Sequence, residues 1–220
     1  MLAEELDLSE LTTLKPSDSV DLAITLMDEH KVMHLPVVYE NRLKGIISED
    51  QLMNNLDATQ VRDLLIQETP ISVSQLDHLF EVIRVMNEYD LTTMPVLNAK
   101  NQAFMGCISV HQLMKVISEM PVVQSKGGII VIEMQIRDLS LSQIARIVEN
   151  NNAIILGSII TRNPDASVIE LTLKINKANI QPIVQSFERF NYKVVSSYDQ
   201  SDQNDMMQDR YDALMKYLNI

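Results

Sequence analysis

His34-Leu-Pro-Val-Val38, followed by Gly45-Ile-Ile-Ser48-Glu-Asp-Gln51, returns later in the chain as Thr93-Met-Pro-Val-Leu97 and Gly106-Cys-Ile-Ser109-Val-His-Gln112. A pattern that recurs in register is an internal repeat, and it constrains the architecture before any single element is assigned. Upstream, an offset of 59 superposes Asp18 on Asp77, Ile24 on Ile83, Met27 on Met86, Glu29 on Glu88 and Pro36 on Pro95. Downstream the offset is 61, and Gly45, Ile47, Ser48, Gln51, Leu52 and Met53 fall on Gly106, Ile108, Ser109, Gln112, Leu113 and Met114. The inserted residues lie where Tyr39-Glu-Asn-Arg42 meets Asn98-Ala-Lys-Asn-Gln102, so that segment is expected to be an exposed hairpin loop.

Each copy reads alike. Val20, Ala23, Ile24 and Met27 recur at helical spacing, as do Leu79, Val82, Ile83 and Met86, with Asp18 and Asp77 placed to cap the two helices. Leu35 to Val38 and Leu43 to Ile47 are short apolar runs around a polar turn, a hairpin pattern repeated at Met94 to Leu97 and Phe104 to Ile108. A second helix follows Ser48 and Ser109, and a short strand precedes each unit near Thr12 to Leu14 and Ile71 to Val73. Neither βαββα unit is large enough to hold a core alone, so the two are expected to pack as a pseudo-twofold pair.

These residues resemble the paired cystathionine-β-synthase (CBS) domains, over roughly residues 1–120, with repeat 1 about 1–58 and repeat 2 about 59–120. The resemblance implies a regulatory, non-catalytic module that senses an adenosine-containing nucleotide or related metabolite between its repeats. AMP, ADP, ATP or S-adenosylmethionine are the expected ligands, and no cofactor is required. It places the nucleotide-binding residues at Thr13, His34, Pro36, Ser48 and Gln51 in one repeat and at Thr93, Pro95, Ser109, His111 and Gln112 in the other. The family signature has a hydroxyl residue at the helix start and Asp three positions on, whereas Gln51 and Gln112 stand here. Ser48-Glu-Asp-Gln51 and Ser109-Val-His-Gln112 also fit the S-x-x-Q capping box, which needs no ligand. Glu49 and Asp50 oppose a phosphate at the first helix start, so a phosphate is expected to prefer the Ser109 end, where Val110 and His111 stand. His111 reads equally as a solvent-exposed helix residue, and His34 as a partly buried strand residue.

Met120-Pro-Val-Val-Gln-Ser-Lys-Gly-Gly128 marks a domain boundary, read as a linker over 121–127. Beyond it come a strand from Gly128 to Gln135, a helix through Leu141, Ile144, Ala145 and Val148, and a hairpin from Ala153–Ile160 and Val168–Ile175 around Thr161 to Asp165. A helix over Ile180–Phe190 and a strand over Lys193–Tyr198 complete a βαββαβ order, the ferredoxin-like layout. With Ile136-Arg-Asp138 before the helix and Asn152-Ala-Ile-Ile-Leu-Gly-Ser158 after it, residues 128–199 resemble an ACT domain, a module that senses amino acids. That resemblance implies effector-binding residues at Asp138, Leu139 and Ser140. Leu139-Ser140 replaces the usual Pro-Gly, and Ser140 reads also as a helix N-cap. A CBS pair followed by an ACT-like domain resembles regulators of the acetoin-utilisation B type. The fold class expected is α+β, with a polar tail from 200 to 220 in which Met206, Met207, Tyr211, Leu214, Met215 and Leu218 allow a short amphipathic helix.

Composition excludes several other roles. Thirty acidic and eighteen basic residues in 220 give a net charge of −12, which repels nucleic acid and anionic lipid. The acidic start, Met1-Leu-Ala-Glu-Glu-Leu-Asp7, is unlike a signal peptide, and the longest aliphatic runs fall far short of a membrane span. A cytoplasmic protein is expected, in keeping with the lone Cys107, which reads as inert packing. His30, His34, His78 and His111 lack metal-ligand spacing, and no Walker or Rossmann glycine loop is present, so neither a metal nor an enzyme is expected. The thirteen methionines, with Met27, Met53, Met86 and Met114 at helical core positions, read as filler. Homodimerisation is expected, because both families resembled here pair. The rival readings are a ligand-free interaction scaffold and an amino-acid sensor acting through the ACT-like domain.

Overall fold

In a computed structural model, residues 1–9, 11–55, 57–65, 69–161 and 167–199 are described, and the chain divides into two units, Met1–Ile117 and Ser118–Ile220. The amphipathic C-terminal helix and most of the Thr161 to Asp165 loop lie outside the described residues.

The first unit carries the repeats. Helix α1 (Val20–His30), strands β1 (His34–Tyr39) and β2 (Arg42–Ser48) and helix α2 (Glu49–Asn54) form one copy. Strand β3 (Val73–Ser74), helix α3 (Leu79–Glu88), strands β4 (Thr93–Leu97) and β5 (Phe104–Ser109) and helix α4 (Val110–Glu119) form the other. In each copy the hairpin is antiparallel and a leading segment runs parallel to its first strand: Val73 pairs with Val96, and Leu14 bridges to Val37. The turn between β1 and β2 is tight, with Glu40 and Asn41 both at positive φ, as a two-residue hairpin of right-handed twist requires. Its counterpart between β4 and β5 is the longer loop, stitched by the Asn98 side chain accepting from the N–H groups of Lys100 and Asn101.

Helix starts depart from expectation by one residue. Ser19 caps α1, its hydroxyl accepting from Leu22 N at 3.2 Å, while Asp18 takes the N–H of Lys15 in the preceding turn. His78 caps α3 through Nδ1, while Asp77 takes the N–H of Ser74. A carboxylate one position early is better placed to close the turn than to reach the helix, and it does so in both repeats. The methionines also divide: Met27 and Met86 are buried, but Met53 and Met114 are more than half exposed and fill no core.

The repeats meet at equivalent positions. The Thr93 hydroxyl donates to the carbonyl of His34 at 3.0 Å, and Met33 N donates to the Thr92 hydroxyl at 2.9 Å. Leu14, Leu35, Val37, Ile47 and Cys107 bury together, so one core draws on both copies. Residues 1–9 run against the second repeat: Ala3 N donates to Asp77 O, and Cys107 N to Leu8 O.

The second unit opens with a short helix, α5 (Pro121–Gln124), within the stretch read as a linker. Gly127 and Gly128 are buried, and a side chain at Gly127 would collide with the carbonyl of Ile175. Strands β6 (Ile129–Gln135), β7 (Ile155–Ile160), β8 (Val168–Ile175) and β9 (Lys193–Tyr198) form an antiparallel sheet in the order β7-β8-β6-β9, with helices α6 (Leu141–Glu149) and α7 (Gln181–Arg189). Alternate residues of β6 and β8 bury on Ile144, Ile147, Val148, Ile183 and Phe187, the period-two pattern of a sheet with one covered face. The order and connectivity are ferredoxin-like.

Candidate functional site

Two cavities lie in the first unit at corresponding ends of the two repeats. One, of about 350 Å³, is lined by His34, Gly45, Ser48, Gln51, Leu65, Pro70 and Leu91 among others. The second, of about 580 Å³, is lined by Leu11, His30, Lys31, Val32, Thr92, Ser109, His111 and Met114. Ser48 and Ser109, Pro70 and Leu11, and Leu91 and Val32 are repeat equivalents, so these are two versions of one place in the fold. Both volumes fall within the range of small-molecule sites.

At each, a strand ends in a serine that starts a helix. Gln51 N donates to Ser48 Oγ at 3.2 Å, while Ser48 N donates to Gln51 Oε1 at 2.9 Å. In the other copy the same two bonds measure 3.1 and 2.8 Å. These are full capping boxes, and they engage the glutamine side-chain oxygens. Gln112 is further engaged, its amide Nε2 donating to the carbonyl of Asp7. Each glutamine oxygen already accepts a capping bond, so a ribose hydroxyl would have to share it.

His34 is half-buried at the edge of the smaller cavity. Its Nδ1 accepts from Thr92 N at 3.3 Å, which puts the ring hydrogen on Nε2. Burial holds the imidazole below its ordinary value, while the charges of Asp90 and Asp50 act in the opposite direction.

Of the residues singled out from sequence, His34, Ser48 and Gln51 line the smaller cavity and Ser109 and His111 the larger. Thr13, Pro36, Thr93, Pro95 and Gln112 line neither. Pro36 and Pro95 are buried in the strands, and Thr93 closes the seam between repeats. Sequence reading missed His30, Lys31, Thr92 and Pro70. A signal for Lys31 was present, since it aligns with Asp90 and both follow the first helix of their repeats.

In the second unit Asp138 borders a cavity of about 320 Å³ shared with Gln143, Tyr192 and Lys193. Burial and the Asp138 charge raise the Tyr192 phenol. Leu139 packs against the core, and Ser140 caps α6, accepting from Gln143 N at 3.4 Å. Burial pushes the Cys107 thiol well above its ordinary value, which removes it as a nucleophile. Among the described residues no cluster of His, Cys, Asp and Glu could hold a metal ion, and no helix is long and apolar enough to cross a membrane.

Known proteins resemble the first unit. Inosine-5'-monophosphate dehydrogenase of Korarchaeum cryptofilum is 29% identical over 101 residues, 46% of this chain but only 21% of that enzyme. The chain thus spans about a fifth of that curated relative. The crystal structure of CBSX2 in complex with AMP is 26% identical, with a TM-score of 0.45, over 53% of this chain and 95% of that one. An acetoin utilization protein from Vibrio cholerae is 20% identical, with a TM-score of 0.49, over 56% of this chain and 95% of that one. The CBS domain pattern itself matches residues 3–58 and again 61–119. With both repeats matched over more than half its residues, the chain belongs to the CBS domain family, as a tandem pair.

Proposed function

We propose that this chain is a non-catalytic regulator that holds an adenosine-containing metabolite in a cavity of its CBS pair and transmits the bound state to residues 128–199 or to a partner. The observation that carries the reading is the pair of equivalent cavities, each with a serine at a helix start, an apolar wall and a volume fit for a small molecule. Residues 1–120 act as the sensing domain, 121–127 as the connection and 128–199 as an ACT-like domain, in a cytoplasmic homodimer. AMP, ADP, ATP and S-adenosylmethionine are the ligands to try. The test is a thermal-shift panel of these against the full chain. Ligand at a hundred times Kd adds about 2.7 kcal/mol, worth roughly 5–11 °C at this size.

The commitment of Gln51 and Gln112 to helix caps favours a second reading, a ligand-free scaffold. No shift with any ligand would select it. A shift with an amino acid alone would move the sensor to the Asp138 cavity.

A further inference from the structure

The two cavities, of about 350 and 580 Å³, occupy corresponding places and differ in the charges around them. Lys31 and Asp90 occupy corresponding positions, each just after the first helix of its repeat and each in the left-handed conformation, with φ of 54° and 51°. At the second helix start, Glu49 and Asp50 of one copy correspond to Val110 and His111 of the other. Lys31 lines the larger cavity beside Ser109 and His111, and among the described residues no carboxylate lines either cavity. Its ammonium meets Asp28 at 2.8 Å, but both side chains are about four-fifths exposed, 78% and 81%. Such a solvated pair is weak and exchanges readily for a better anion. Val110 N is taken by Thr92 O and Gln112 N by Ser109 Oγ, while His111 adds an imidazole at the positive end of a ten-residue helix. At the smaller cavity, by contrast, His34 feels the carboxylates of Asp90 and Asp50.

We propose that the two cavities sort ligands by charge: the Ser109 cavity takes a phosphate-bearing nucleotide, with Lys31 and His111 at the phosphate, and the Ser48 cavity takes an uncharged or cationic nucleoside. This rests on the adenosine-sensing reading and adds the ligand class of each cavity. Asp50 and Asp90 act on His34 at the edge of the smaller cavity, where Lys31 lines the larger, so corresponding positions carry opposite charge and favour opposite ligands.

Calorimetric titration of the full chain with AMP and with adenosine tests it. AMP is expected to fill one site per chain. Lys31→Glu is expected to weaken AMP about tenfold and to leave adenosine within about twofold. Asp50→His combined with Asp90→Lys is expected to create a second AMP site. These side chains are exposed, so the variants fold. Two equal AMP sites in the native chain, or unchanged AMP affinity in Lys31→Glu, would overturn the charge assignment while leaving the sensor reading intact. Heat from neither probe would overturn this assignment, and the sensor reading would then stand or fall with the thermal-shift panel.

Discussion

At Gly106 the backbone sits at φ 149°, and a side chain there would strike the carbonyl of Leu8. The contact is with backbone on both sides, so relief requires residues 1–9 to lift off the second repeat, breaking the bond from Cys107 N to Leu8 O and that from Gln112 Nε2 to Asp7 O. Gly106→Ala is expected to cost more than about 2 kcal/mol, read as a lower urea midpoint with unchanged slope. Gly45, its repeat equivalent, faces the flexible end of Leu65 instead, and Gly45→Ala is expected to cost less. His34 supplies a pH dependence. Its folded value is depressed by burial, so the neutral ring stabilises the fold above its ordinary value of about 6.5. Stability is then lost as pH falls from there through the folded value, because the unfolded chain takes up the proton first. Asp90 and Asp50 reduce the effect without reversing it. Denaturation at pH 7.5 and 5.5 is expected to show a smaller drop in His34→Gln than in the native chain; an equal drop would place the titration elsewhere.

In the first unit the helices and strands are legible because repetition doubles a weak periodic signal: each hairpin and each helix is read twice, in register. Caps were less so. Asp18 and Ser19 both carry an oxygen that can cap, and only the three-dimensional turn decides that Asp18 reaches Lys15 N and leaves Ser19 for the helix. Ser48 and Ser109 left no such ambiguity, since the glutamine three residues later completes the box from the other side. Ser109→Ala is expected to destabilise by about 1 kcal/mol, and Gln112→Ala by more, because it also strands the carbonyl of Asp7. If Ser109→Ala leaves stability unchanged, the cap is not what holds α4. The exposed Met53 and Met114 have the same cause as the missed Lys31. Helical spacing alone does not distinguish a core face from a cavity rim, and Met114, like Lys31, lies on such a rim. Family resemblance named ten nucleotide residues, but half of them line neither cavity, Pro36, Pro95, Thr93 and Gln112 serving strands, seam and cap, where sequence spacing cannot distinguish support from lining.

Two separate cores, one built on Leu14, Leu35 and Ile47 and one on Ile130, Leu171 and Phe187, give the chain two sets of buried contacts to lose. Phe187 is fully buried and meets Tyr192 edge-on at 5.7 Å between ring centroids. Phe187→Ala is expected to cost about 3–5 kcal/mol, and amide exchange should rise in β6, β8 and β9 while β1 and β2 keep their protection. That independence frames the regulatory proposal. A ligand in the first unit can influence the second only if it favours one of two states that differ in both. Saturating AMP is expected to slow exchange in the strands that carry Ser48 and Ser109, and also in β6, the first strand beyond the connection. Protection confined to residues 1–117 would mean that the CBS pair binds without signalling to the second unit, and the state would then have to be read by a partner touching the CBS pair itself.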